Sequence, residues 1–112
     1  MVVSIGDLDR AFAALADPTR RDIVRRAIGG DEGIAQLASH YPMTFAAVQK
    51  HVAVLERAGL VGKQRVGRRK VVRANPDGLV AVRGLLDGYE QLWLDRVDRM
   101  SGLLAVDEEA GA

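Results

Sequence analysis

Five helix breakers punctuate the chain between residues 17 and 76: Asp17-Pro18, Gly29-Gly30, Tyr41-Pro42, Ala58-Gly59 and Asn75-Pro76. Proline lacks the amide that a helix interior needs, and glycine takes the left-handed turn that ends a helix. Two of the breaks are also starts, because Asp17 and Asn75 can cap free amides while the proline after each suits the first helical position. The fold is thereby confined to short elements up to Pro76. No proline follows Pro76, so the rest of the chain is free to form one long helix.

The apolar residues fill in these segments. Ser4 and Asp7 mark the start of a first helix whose apolar face is Ile5, Leu8, Phe12 and Leu15. A second helix from Asp17-Pro18 turns Ile23, Val24, Ala27 and Ile28 inward, and a short third, Asp31 to His40, buries Ile34, Leu37 and Ala38. Thr44 caps a fourth, with Ala47, Val48, Val52 and Leu55 inward and Phe45, Ala46, Gln49, Lys50, Ala53 and Arg57 outward. Leu60 to Val66 and Lys70 to Arg73 are β-branched runs joined through Gly67-Arg68-Arg69, which predicts a hairpin with a basic tip. From Leu79 to Leu104 the apolar residues alternate in threes and fours along one stripe, weakened locally by Gly84, Gly88 and Gly102. The fold expected is mainly α with a small β-hairpin, in the order four helices, two strands, one helix. Two short helices, a tight turn and then a hairpin make a winged helix-turn-helix.

A chain of 112 residues has room for one core. Residues 1–106 are expected to be a single winged helix-turn-helix domain, and 107–112 a disordered acidic tail. Without cysteine there is no disulfide framework, thiolate metal site or thiol nucleophile, and the chain has neither a signal peptide pattern nor a membrane-spanning apolar run. A soluble, cytoplasmic protein is expected. No glycine-rich phosphate loop occurs and the two histidines lack carboxylates at useful spacing, so no enzyme is expected.

The net charge of +1 conceals a division. Residues 44–73 hold eight Lys and Arg against one acidic residue, whereas 74–112 hold three against eight. A compact basic segment covering the fourth helix and the hairpin suits a phosphate-bearing partner.

The runs 14–23 (ALADPTRRDI) and 43–61 (MTFAAVQKHVAVLERAGLV), with Gly67-Arg68-Arg69-Lys70 and Asn75-Pro76, resemble the ArsR/SmtB-type family of bacterial repressors over residues 8 to 104. The resemblance implies a homodimer that binds an inverted-repeat operator in double-stranded DNA and blocks transcription until an effector loosens it. Thr44, Gln49 and Lys50 match the family's small polar and basic positions on the recognition helix. Gln49 stands where serine is common, and its longer amide can bond adenine or reach a phosphate. Gln49 and Lys50 are expected on base edges, with Thr44 and the helix N-terminus, including Phe45 and Ala46, near phosphate.

Histidine is frequent in the family at the position of His51, where a structural or phosphate hydrogen bond suits it better than metal ligation. Arg57, on the outward face, and Lys63 each divide evenly between contact and solvation, and Arg65, Arg68, Arg69 and Lys70 track the backbone or the minor groove. Phe45 is expected to pack against the neighbouring helix rather than to wedge between bases, and His40 to end the third helix.

The family's thiolate positions fall on Gly33 and Ala35, and Tyr89 to Met100 offers Glu90, Asp95 and Asp98 without histidine. No metal and no other cofactor is therefore expected. The apolar surplus of the last helix, Leu85, Tyr89, Leu92, Trp93, Val97 and Met100, together with Leu8, Phe12 and Leu15 of the first, is expected to form the dimer interface. The competing reading is a winged-helix module for protein or RNA, which would not need matched recognition helices and so would not need a dimer.

Overall fold

A computed structural model describes residues 5–110, with side chains placed for 7–103. The elements are α1 (Ile5–Leu15), α2 (Pro18–Ala27), α3 (Ile34–Ala38), α4 (Phe45–Arg57), β1 (Val61–Val66), β2 (Arg69–Ala74) and α5 (Pro76–Ala110). The architecture is the expected winged helix-turn-helix: α3 and α4 are joined by a turn, and β1 and β2 pair as an antiparallel hairpin. The chain divides into two compact units, the first ending at Val82 and the second beginning at Arg83.

The core of the first unit is built from one face of each element. Ala11 and Ala14 of α1, Ile23, Val24 and Ala27 of α2, Leu37 of α3 and Val48, Val52 and Leu55 of α4 are buried together with Leu60, Val61, Val72 and Val82. Ile23, Leu37 and Leu55 are among the largest side chains closed off from solvent, each stabilising the fold by roughly 1.5–3 kcal/mol. Asp17 and Thr44 cap as expected, accepting from the amides of Arg20 and Ala47.

Several expectations need correction. The residues of α1 that close the core are Ala11 and Ala14, which bring its backbone near α2, while Leu8, Phe12 and Leu15 are only half-buried. Ile28 is 62% exposed rather than inward, because the backbone has already left the helix there (φ −73°, ψ 107°). The third helix is five residues, not ten. Its expected first turn is extended because the Glu32 carbonyl accepts from the Val72 amide at 2.9 Å, so this strand-like contact replaces a helical one. His40 follows the helix in a turn, with Nε2 2.6 Å from the Glu32 carboxylate. The strands cover 61–66 and 69–74, leaving Gly67-Arg68 as a two-residue turn. Gly67 takes φ +62° while Arg68 does not turn positive, which is the glycine-first pattern of a hairpin turn. Ser4 and the side chains of Ile5 and Leu104 lie outside the described residues. So do residues 111 and 112, although α5 itself continues to Ala110, into the stretch read as a tail.

The chain enters α5 through a tight joint. Asn75 Nδ2 donates to the Gly59 carbonyl at 3.0 Å, the Asn75 amide donates to the Leu60 carbonyl, and Asn75 Oδ1 accepts from the Asp77 amide. Gly78 sits against the same Gly59 carbonyl, and a Cβ there would collide with it. Backbone cannot rotate aside as a side chain can. Gly78→Ala should therefore destabilise the protein by about 2–3 kcal/mol, as overpacking does, although alanine is the better helix former. Urea denaturation measures this, and an unchanged or higher midpoint would show that the joint is slack.

In the second unit, Leu86, Tyr89, Leu92, Trp93, Val97, Met100 and Leu103 are exposed and Leu85 is half-buried. At about 100° per residue these side chains fall within roughly two fifths of the helix circumference, with the exposed Leu94 on the opposite side. No described helix is long and apolar enough to cross a membrane.

Candidate nucleic-acid interface

The inward face of α4 is tied to the core through Val48, Val52 and Leu55, which fixes the rotation of the helix. Thr44, Phe45, Ala46, Gln49, Lys50, Ala53 and Arg57 are consequently exposed, as the apolar spacing predicted. Phe45 is 48% exposed, so about half of its side chain is left open to solvent. It occupies the first helical position, where a side chain leans back over the preceding loop rather than inward.

Arg65, Arg68, Arg69 and Lys70 are exposed on the hairpin. The register sets Arg65 opposite Lys70 and Val66 opposite Arg69. Like charges facing each other across strands destabilise a hairpin unless something neutralises them. Two cations of the basic segment have partners, Lys63 with Glu56 at 3.5 Å and Arg73 with Asp31 at 2.8 Å. Lys50, Arg57, Arg65, Arg68, Arg69 and Lys70 have no carboxylate partner among the described residues. This arrangement can hold a polyanion: exposed amide and ammonium groups on a rigid helix, flanked by guanidinium groups on a hairpin of the same compact unit.

The same unit holds a cluster that sequence spacing discloses only in part. Asp22 accepts from Tyr41 Oη at 2.7 Å, from Arg25 Nη2 at 2.6 Å and from Arg26 Nε at 2.9 Å. Arg25 and Arg26 follow Asp22 at i+3 and i+4, a legible pairing, but Tyr41 reads in the sequence only as part of a helix break. The cluster ties α2 to the turn that orients α4. The hydrogen bond from Tyr41, then those from Arg25 and Arg26, hold the Asp22 carboxyl far below the usual carboxylate range. Burial, then the adjoining carboxylate, pushes the Tyr41 hydroxyl up to about 12.

The two shifts act at opposite ends of the pH scale. A depressed Asp22 stabilises the fold above the ordinary carboxylate value of about 3.9 and the benefit is lost as pH falls toward the folded value. A raised Tyr41 stabilises below about 10 and is lost as pH rises through about 12. Asp22→Asn should cost about 1 kcal/mol at neutral pH, allowing for partial solvent screening, and flatten the acid limb of a stability curve. Tyr41→Phe should flatten the alkaline limb. Thermal melts across pH test both, and acid limbs that coincide for wild type and Asp22→Asn would remove the carboxylate from this role.

Among the described residues no three His, Cys, Asp or Glu side chains come together as metal ligands. Gly33 precedes α3 as its cap and Ala35 is exposed.

The helix-turn-helix with a basic wing defines a class, the winged helix-turn-helix proteins, and the comparisons with known proteins narrow it. The chain is 42% identical over 92 residues to the HTH-type transcriptional regulator Rv2034 of Mycobacterium tuberculosis, spanning 75% of this chain and 86% of that protein. It is 30% identical over 61 residues to the transcriptional repressor SdpR of Bacillus subtilis, spanning 54% of this chain and 68% of that one. Among solved structures, an ArsR-like transcriptional regulator from Rhodococcus sp. RHA1 superposes with a TM-score of 0.75 at 29% identity, covering 91% of this chain and 96% of that one. No family model matches the chain. The chain belongs to the ArsR family of transcriptional regulators, a regulatory rather than catalytic group of proteins.

Proposed function

We propose that this regulator is a homodimeric repressor that binds an inverted-repeat operator in duplex DNA. The observation that carries the reading is the set of six exposed cations on α4 and the wing that have no carboxylate partner among the described residues. SdpR, a relative, is a repressor, and a protein seated on an operator that overlaps a promoter excludes polymerase.

In this reading α4 enters the major groove. Gln49 and Lys50 reach base edges; Thr44, the α4 N-terminus at Phe45 and Ala46, His51 and Arg57 meet backbone phosphate. Thr44 Oγ1 accepts from the Ala47 amide at 3.1 Å, which leaves its hydroxyl hydrogen available to donate. Arg65, Arg68, Arg69 and Lys70 follow the backbone or enter the minor groove. The dimer forms through Leu8, Phe12 and Leu15 of α1 with Leu85, Tyr89, Leu92, Trp93, Val97 and Met100 of α5, within one domain over 1–106. In this reading the protein works in the cytoplasm.

Selection of duplexes from a random pool with purified protein tests the reading and supplies the operator. On that operator Gln49→Ala should cost roughly 1–3 kcal/mol and relax one base preference, while Arg69→Ala should weaken operator and random duplex alike. Recovery of no duplex from the pool would sink the reading, and equal losses for Gln49→Ala on both duplexes would remove Gln49 from base reading.

A further inference from the structure

Arg20 lies on α2, outside the basic segment, and has no part in the reading above. Its Nε donates to the Ala14 carbonyl at 2.7 Å and Nη2 to the Ala13 carbonyl at 3.2 Å. Both acceptors belong to the last turn of α1, where the Ala13 carbonyl also accepts from the Ala16 amide at 3.3 Å. The Asp17 carboxylate is 3.9 Å from Nη1, and the Arg20 side chain is only 19% exposed. These anchors fix the guanidinium plane. They leave Nη1 facing Nδ1 of His51 on α4 at 3.3 Å.

A guanidinium has donors only, so Nδ1 must be the acceptor, and a neutral imidazole whose Nδ1 accepts carries its proton on Nε2. His51 Nε2 has no hydrogen-bond partner among the described residues, yet Arg73 Nε is the one buried side-chain polar atom there without one. Nε2 therefore opens to solvent. It does so on the residue next to Lys50, on the helix assigned to the groove.

We propose that Arg20 is a positioning residue of the DNA interface: it holds the His51 ring in the Nε2–H tautomer, so that the ring presents a fixed N–H donor to a DNA backbone phosphate. This rests on the reading of α4 as the recognition helix. A donor whose rotamer and tautomer are set before binding loses little freedom on contact, and the affinity gained comes from that preorganisation. The two carbonyl anchors of Arg20 lie on α1, so the order of α1 reaches the DNA surface through one side chain.

The test has two arms. Two-bond proton–nitrogen spectra of the free wild type at about pH 8.5, where histidine is ordinarily neutral, should show His51 protonated on Nε2. Arg20→Met, confirmed folded by its amide spectrum, should return the ring to a mixture of tautomers. In the second arm, His51→Gln places an amide nitrogen near the Nε2 position and His51→Asn places one near Nδ1. His51→Asn should weaken affinity about tenfold on operator and random duplex alike and leave the salt slope in place, because a neutral ring that donates to a phosphate displaces no counterion. His51→Gln should recover most of that affinity and stay within about threefold of wild type. If Arg20→Met does not fold, the wild-type spectrum and the His51 pair decide the matter. A wild-type ring protonated on Nδ1, or equal weakening by the Asn and Gln variants on a duplex that still responds to Lys50→Ala, overturns the proposal alone. A wild type without duplex affinity overturns the reading of α4 and the phosphate role with it, while the tautomer signal is read independently.

Discussion

Raising salt from about 50 to 200 mM should lower operator affinity on the order of a thousandfold. Each protomer exposes six cations without a carboxylate partner among the described residues. If about half of those on a dimer neutralise phosphates, roughly six counterions are released and the slope of log affinity against log salt is near −5. Base-edge contacts by Gln49 add little to this slope because no counterion leaves. Arg69→Ala on both protomers should flatten it by up to about 1.8 units, whereas Gln49→Ala should leave it in place and lower the whole line. Fluorescence anisotropy over a salt series measures all three. A wild-type slope shallower than about −2 would mean that the wing does not touch the backbone.

The second large effect concerns α5. Leu92 and Trp93 are 67% and 65% exposed, and a tryptophan left open to water on a stripe of other apolar side chains is unfavourable unless a second copy covers it. Two-fold symmetry counts each side chain twice, so Leu92→Ala with Trp93→Ala removes four anchors from the dimer. At roughly 2 kcal/mol for each buried anchor, dimer affinity should fall by at least about a thousandfold. Operator affinity should fall with it, because two recognition helices about 34 Å apart bind a palindrome only when they are linked. Sedimentation velocity at micromolar protein reads the first effect, and gel shifts on full and half operators read the second. A wild-type monomer that still saturates a palindrome would refute the dimer, and a variant that stays dimeric would move the interface off this stripe.

Much of the fold is legible in the sequence because its determinants are local. Asp17-Pro18, Thr44, Ala58-Gly59 and Asn75-Pro76 act within a turn or two of themselves, and the elements begin and end at them. The outward face of α4 follows from the positions of Val48, Val52 and Leu55 alone. What cannot be read depends on partners distant in sequence. The third helix is short because Val72, forty residues on, takes the Glu32 carbonyl, and no propensity at Asp31 or Glu32 announces that. Arg20 meets His51 across 31 residues and Asp22 meets Tyr41 across 19, contacts that exist only once the helices have packed. Ile28 defeats the pattern because its apolar character continues the helical phase one residue past the point where the backbone leaves the helix.

The bond from Val72 to Glu32 also bears on how the protein behaves when crowded and without DNA. A two-stranded ribbon offers two open edges to any passing strand. Here the residue 32 segment occupies part of the β2 edge, and Arg73 reaches across to Asp31 as a further clasp. The β1 edge remains, and it carries Lys63, Gln64 and Arg65 in succession. Two such edges repel. Lys63 is held by Glu56 at 3.5 Å, so the uncompensated charge on that edge is Arg65, and a charge-removing change at Arg65 should lower solubility without DNA.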